Sequence, residues 1–177
     1  MTETFEKDGE VPLAPDDGLV ARNFVIVPMT SADLPAVVEL EQQAGLSSRG
    51  ISGYERELDH PQAVLLVARV NFPNDLAKPL LAGALAGRMI VDEFEINDVA
   101  VCSGYRRRGI GESLLRAALK RAQELGARRA FLEARAHHAP ALALYRKLNF
   151  LELGRRRDYY SNPLEDACVL ACELPRL

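Results

Sequence analysis

The chain has 177 residues, 48% of them hydrophobic, with a net charge of −3, which suits one buried core and argues against a disordered protein. The near balance of charge gives no global electrostatic case for nucleic acid, and no uncharged apolar run approaches the ~18 residues of a membrane span. Cys102, Cys168 and Cys172 stand in strand-like runs without CxxC or metal spacing, so they are expected to be buried thiols of a cytoplasmic protein.

Residues 1–22 are polar, acidic and broken by Pro12 and Pro15, a composition that predicts a disordered acidic tail without a secretory signal, followed by a single domain over residues 23–177. Phe24–Pro28 reads as a strand. Thr30 or Ser31 then caps a helix carrying Leu34, Val37, Val38 and Leu40, with Pro35 confined to its first turn. Residues 45–53 read as a loop and Tyr54–Leu58 as a short helical piece. Ala63–Val70 is a strand, residues 71–79 a polar loop, and Leu80–Val91 with Phe94–Cys102 a hairpin turning at Asp92-Glu93.

The period then changes. Leu114, Leu115, Ala118, Leu119, Ala122 and Leu125 recur at helical spacing, and Gly126 suits a left-handed cap. Ala130–Ala134 is a strand. Pro140 opens a helix whose apolar face is Ala141, Leu144, Tyr145 and Leu148, with Asn149 at its end. Strands near Phe150–Tyr160 and Ala167–Leu174 finish the chain, so helices and strands interleave in an α/β or α+β fold.

Between the hairpin and the long helix stands Tyr105-Arg106-Arg107-Arg108-Gly109-Ile110-Gly111. A glycine turn leading into a helix offers unpaired N–H groups and the positive end of the helix dipole, and Gly109 and Gly111 would let an anion approach the backbone. A solvated basic turn capping an ordinary helix is the competing reading. No Gly-Lys-Ser/Thr follows, which excludes a Walker loop, and Leu114 stands where a dinucleotide fingerprint needs its third glycine.

The motifs INDVAV, YRRRGIG, FLEARA, ALALYRKLNF, RRDYY and EDA, in this order, resemble the GNAT acyltransferase superfamily and, more narrowly, its RimI-type amino-terminal acetyltransferases of ribosomal proteins. The resemblance runs over roughly residues 24–175. It implies a GNAT fold, a central splayed mixed β-sheet flanked by helices, with acetyl-CoA in the split and no metal. It further implies that Val99, Ala100 and Val101 pair with the pantetheine arm, and that Arg106, Arg107, Arg108, Gly109, Ile110, Gly111 and Glu112 wrap the pyrophosphate. By the same resemblance Glu133 is the proton acceptor, Tyr145 the proton donor, and Tyr159 and Tyr160 belong to the peptide side.

The implied partners are acetyl-CoA and a ribosomal protein's N-terminus, without nucleic acid or membrane, for a monomer or weak dimer. Acetyl transfer needs a neutral amine, and depriving lysine of its proton near pH 7 costs roughly 3 kcal/mol more than for an α-amino group. A carboxylate base therefore suits an amino terminus.

Rival readings stand beside these. Glu133 could be a surface residue paired with Arg135 or Arg128, Tyr145 a core tyrosine, and Glu95 an alternative base, whereas Glu93 reads as surface. His137-His138 stands where the family commonly has Ser-Asn, which puts the pantetheine contact at His138 in question, and Asn149 replaces a glycine. Strand alternation predicts that Tyr159 and Tyr160 point to opposite faces, and it leaves Arg155–Arg157 open as a solvated face or an attractor of acidic peptide. The alternative functions are acetylation of a small amine or internal lysine, and a non-catalytic acyl-CoA sensor.

Overall fold

In the computed structural model, which describes residues 24–46, 49–70 and 80–175, the alternating apolar stretches form seven strands of one sheet. They are β1 (Phe24–Pro28), β2 (Ala63–Val70), β3 (Leu80–Ile90), β4 (Glu93–Val101), β5 (Arg129–Arg135), β6 (Leu151–Ser161) and β7 (Leu164–Glu173). Their order is β1-β2-β3-β4-β5-β7-β6, and all neighbours are antiparallel except β4 and β5. Helices α1 (Leu34–Gln43), α2 (Gly50–Leu58), α3 (Ile110–Glu124) and α4 (Ala139–Lys147) flank it. The expected acidic tail and the loop over residues 71–79 lie outside the described residues.

Each face of the sheet has its own apolar cluster. On one, Leu114, Leu115, Ala118 and Ala122 of α3 recur at three- and four-residue spacing and pack with Leu85, Phe94, Ile96, Leu132 and Phe150. On the other, Leu34, Val37 and Leu40 of α1 and Tyr54 of α2 pack with Val67, Ala84, Ala86 and Ala100. Cys168 and Cys172 are buried as expected, whereas Cys102, just past β4, is only half-buried and donates from Sγ to Leu81 O at 3.3 Å.

Local departures from expectation have physical causes. Helix α2 starts at Gly50 rather than Tyr54, because Gly50 at φ +67° turns the chain into the helix and Tyr54 anchors it in the core. The β3–β4 turn is Val91-Asp92, since Ile90 pairs with Glu93 across it. Val91 holds φ +59° there, a left-handed state that a β-branched residue rarely adopts, so no sequence signal marks it. Gly126 at φ +98° and Asn149 at φ +64° take the left-handed conformation their positions suggest.

Gly87 packs most tightly of the strand glycines. A Cβ there would stand 2.6 Å from Phe94 Cζ and 2.7 Å from Glu95 O, and the backbone oxygen cannot move aside without breaking β3–β4 pairing. Gly87→Ala is therefore expected to lower stability by about 3 kcal/mol, read from the midpoint of urea unfolding. An unchanged midpoint would refute the close-approach account.

Candidate active site

The parallel pairing of β4 and β5 runs from Glu93–Arg129 to Ile96–Leu132 and then stops. The cause lies on the opposite edge of β4. Ala86 pairs with Asp98 and Gly87 with Ile96, which leaves Asn97 as an extra residue; such a bulge bends its strand and increases the local twist. Strand β5 meanwhile stays with β7 as far as Arg135–Ala167. The sheet thus opens between β4 and β5, as expected of a splayed sheet.

Backbone bonding alternates along an antiparallel strand. Cys102 N–H donates to Ala82 O at 2.9 Å, so Ala100 and Asp98 also bond towards β3, and Val99 and Val101 turn their peptide groups to the gap. The Val101 carbonyl there accepts from Arg106 Nε at 3.2 Å.

At the mouth of the gap the arginine–glycine turn coils into α3. Arg107 at φ +65° and Gly109 at φ +83° are both left-handed, and Gly109 is the residue preceding the helix. The first N–H to close a helical bond is that of Ser113, to Gly109 O at 3.0 Å. Among the described residues none accepts from the N–H groups of Arg107 through Glu112. Such a row of free donors at the start of a fifteen-residue helix fits a phosphate group.

The two glycines have different duties. A Cβ on Gly109 would meet nothing within 4 Å, so that position is set by its backbone angle. On Gly111 it would lie 3.3 Å from Leu144 Cδ2, so that glycine admits α4 rather than an anion on its Cβ side. Glu112 turns its carboxylate away to Lys147 at 2.5 Å and Arg116 at 2.9 Å, which hold it below the usual carboxylate range. Only its N–H remains for a ligand. Arg108 lies over the Tyr105 ring, 5.4 Å from its centroid.

Glu133 stands one residue beyond the last β4–β5 pair, where the two strands part. Arg156 Nε pairs with its Oε1 at 2.9 Å, so neither Arg135 nor Arg128 is its partner, and Glu133 also acts on the nearby Tyr159 phenol, raising its pKa. Glu95, by contrast, lies within the paired part of β4, opposite Phe131. Glu93 is partly exposed beside Arg129, at 3.6 Å. Arg155 pairs with Glu152 at 2.8 Å, and all of Arg155–Arg157 is exposed.

The tyrosine pair corrects the opposite-face expectation. Its rings meet edge to face with centroids 5.2 Å apart. The register of β6 on β7 passes from Arg156–Ala167 to Tyr160–Glu165, so three residues of β6 stand opposite Asp166 alone. Asp158, at φ +50°, is held there by its N–H donating to Asp166 Oδ1 at 3.0 Å. Both phenols thereby come near Glu133, which raises the pKa of Tyr159, while burial and then Glu133 raise that of Tyr160.

From the other wall α4 supplies Tyr145, which is buried and packed against Phe150 with centroids 5.9 Å apart. Burial, then the neighbouring Tyr160 and Asp98, push its phenol up to about 12. His138 caps α4 with an exposed side chain, while His137 donates its N–H to Glu165 at 2.8 Å.

A polar network on the α1–α2 side escaped the sequence reading. Asp98 is mostly buried, which raises its pKa against the opposing effect of Arg49, whose Nε reaches it at 3.2 Å. Arg49 also approaches Glu57 at 3.9 Å, and Glu57 binds Arg88 at 2.6 Å. Beneath them the Tyr54 hydroxyl donates to the buried Glu41. The one available signal was Asp98 itself, a charge inside an apolar strand. Its partners are distant in sequence.

The model of the acetyltransferase (GNAT) family matches residues 34–150. The chain belongs to the GNAT acetyltransferase family. A GNAT relative, the ribosomal protein bS18-alanine N-acetyltransferase of Escherichia coli K12, is 30% identical over 145 residues, covering 81% of this chain and 93% of its own. An N-alpha-acetyltransferase of Sulfurisphaera tokodaii is 40% identical over 86 residues, 48% of this chain and 51% of its own. The crystal structure of the Escherichia coli ribosomal-protein-S18-alanine N-acetyltransferase superposes with a TM-score of 0.72 at 26% identity, covering 87% of this chain and 96% of that one.

GNAT enzymes use acetyl-CoA, and the donors of the turn together with the open edge of β4 suit its pyrophosphate and amide-bearing arm. Among the described residues no group of three His, Cys, Asp or Glu could hold a metal ion, and no helix is long and apolar enough to cross a membrane.

Proposed function

We propose that this enzyme moves the acetyl group of acetyl-CoA to the N-terminal α-amino group of a ribosomal protein of the bS18 kind, in the cytoplasm. The observation that carries the reading is the pairing of functions across the gap. A carboxylate, Glu133, stands just where β5 leaves β4, and a buried phenol, Tyr145, faces Asp98 and Tyr160 nearby. The N-terminal acetyltransferase names of the relatives support the acceptor class.

In this reading Val99 and Val101 offer backbone groups to the pantetheine arm, with Ala100 between them holding the strand on β3. Arg106 to Glu112 receive the pyrophosphate through N–H groups and arginines, and the exposed His138 before α4 is assigned to the pantetheine arm. Acetyl-CoA supplies an activated acetyl group as a thioester. Glu133 accepts a proton from the terminal ammonium, the neutral nitrogen then bonds to the acetyl carbon, and the second nitrogen proton passes to solvent as the amide forms. Tyr145 donates a hydrogen bond to the sulfur as the carbon–sulfur bond breaks, and the sulfur ends protonated. Tyr159 and Tyr160 form the wall along which the acceptor's first residues lie.

A peptide with a free terminal amine, compared with its terminally blocked, lysine-bearing version, tests the acceptor class. Turnover of the free-amine peptide is expected to exceed that of the blocked one by at least about a hundredfold near pH 7, from the difference in amine pKa. Equal turnover would move the assignment to internal lysine. Tight acetyl-CoA binding without acetylation of any peptide pool would make the protein a sensor.

A further inference from the structure

One side chain fastens the β6–β7 turn to the end of β5. Arg135 donates from Nη2 to Asn162 O at 2.8 Å and from Nη1 to Pro163 O at 3.4 Å. Its Nη1 also meets Glu165 Oε2 at 3.2 Å, and its Cζ lies 4.3 Å from the centroid of the Tyr160 ring. The other oxygen of Glu165 accepts from His137 N–H at 2.8 Å and contacts His137 Nδ1 at 3.2 Å. The corner between β5 and α4 is thus tied to the hairpin through one arginine and one carboxylate. A flat guanidinium can stack on a ring while its edge serves two carbonyls and a carboxylate, which the point charge of a lysine cannot.

The hairpin so held carries the tyrosine pair. Within β6 the bulge opposite Asp166 has removed the regular ladder between Arg156 and Tyr160, so ordinary strand pairing does not fix Tyr159. Tyr160 is held by Arg135 on one side and by the edge of Tyr159 on the other. The Tyr160 backbone still pairs with Glu165, and Arg135 adds a hold on its ring that strand pairing alone does not give.

We propose that Arg135 is a positioning residue for the acceptor, acting through Tyr160 to fix the β6–β7 wall of the peptide groove. This rests on the acetyl-transfer reading above. The test uses the full chain with Arg135→Met, which keeps much of the length and loses every donor, and Arg135→Lys, which keeps the charge and loses the fork. Kinetics with acetyl-CoA and a free-amine peptide are expected to show acceptor KM raised about tenfold in both variants, with acetyl-CoA KM within about twofold of wild type.

Combining Arg135→Met with Tyr160→Leu is expected to raise acceptor KM no further than Tyr160→Leu alone, because both act on one contact. Amide hydrogen exchange across residues 160–164 is expected to quicken about tenfold in Arg135→Met while the centre of β5 stays protected. Equal rises in both KM values, additive effects in the double variant, or unchanged exchange would overturn the proposal. The exchange measurement needs no turnover, so it judges the anchoring by itself, whereas a wild-type enzyme inactive on free-amine peptides defeats the acetyl-transfer reading.

Discussion

Tyr145→Phe is expected to lower kcat by about 10²–10⁴-fold while acetyl-CoA still binds. The substitution removes one oxygen and leaves the ring, so the edge contact with Phe150 survives. Burial and the nearby Tyr160 and Asp98 push the phenol up to about 12, so it keeps its proton through the range in which the acceptor amine becomes neutral. A thiol has an ordinary pKa of about 8.5, which makes complete proton transfer from such a phenol to sulfur uphill by roughly 3 units. On the proposed reading Tyr145 then acts first as a hydrogen-bond donor to the charge growing on sulfur, and solvent completes the protonation.

A pH signature follows. A group whose pKa is raised loses its proton only above that higher value, so Tyr145 contributes no alkaline decline below about pH 11. The kcat/KM profile is expected to rise as the amine loses its proton near pH 8 and then stay flat through pH 10. Unchanged kcat in Tyr145→Phe, or a decline centred near pH 9, defeats the assignment.

Glu133→Gln should cost a similar factor, about 10²-fold or more in kcat at pH 7. Glutamine has the same shape, but it neither holds a proton nor balances Arg156. If the loss is that of a base, the deficit shrinks as pH rises above 8, because solvent then delivers the amine already neutral. A deficit constant from pH 7 to 10 would instead mark a broken ion pair with Arg156. Full activity at pH 7 would return the role to Glu95 or to water.

Much of this site was legible in the chain because its signals are local. Leu114 to Ala122 announce a helix, and Gly109, Gly126 and Asn149 mark left-handed positions that few other residues fill. The ordered motifs from Asn97 to Ala167 then select the fold, and the splayed sheet bears that out. What stayed hidden depends on pairing between distant segments. The extra residue at Asn97 exists only relative to β3, and the three-against-one register that brings Tyr159 and Tyr160 together exists only relative to β7. Val91 in a left-handed turn runs against its own preference and is held by the pairing of Ile90 with Glu93. The bonds of Arg49 to Asp98 and of Tyr54 to Glu41 join elements that no motif connects.

Gly111 and Glu112 have a meaning beyond the anion turn. The close approach of Gly111 to Leu144, beside the bond from Lys147 to Glu112, joins the first turn of α3 to α4 at two points flanking Tyr145. On the proposed reading these two contacts tie the phosphate turn to the helix that carries the phenol, and a shift of 1 Å between such groups can cost on the order of a hundredfold in rate. The acceptor wall, on the same reading, is a different part, the β6–β7 hairpin that carries Tyr159 and Tyr160. On that reading an engineer seeking a new acceptor should vary the hairpin and leave the helix pair alone, for chemistry and choice of partner then sit on separate pieces.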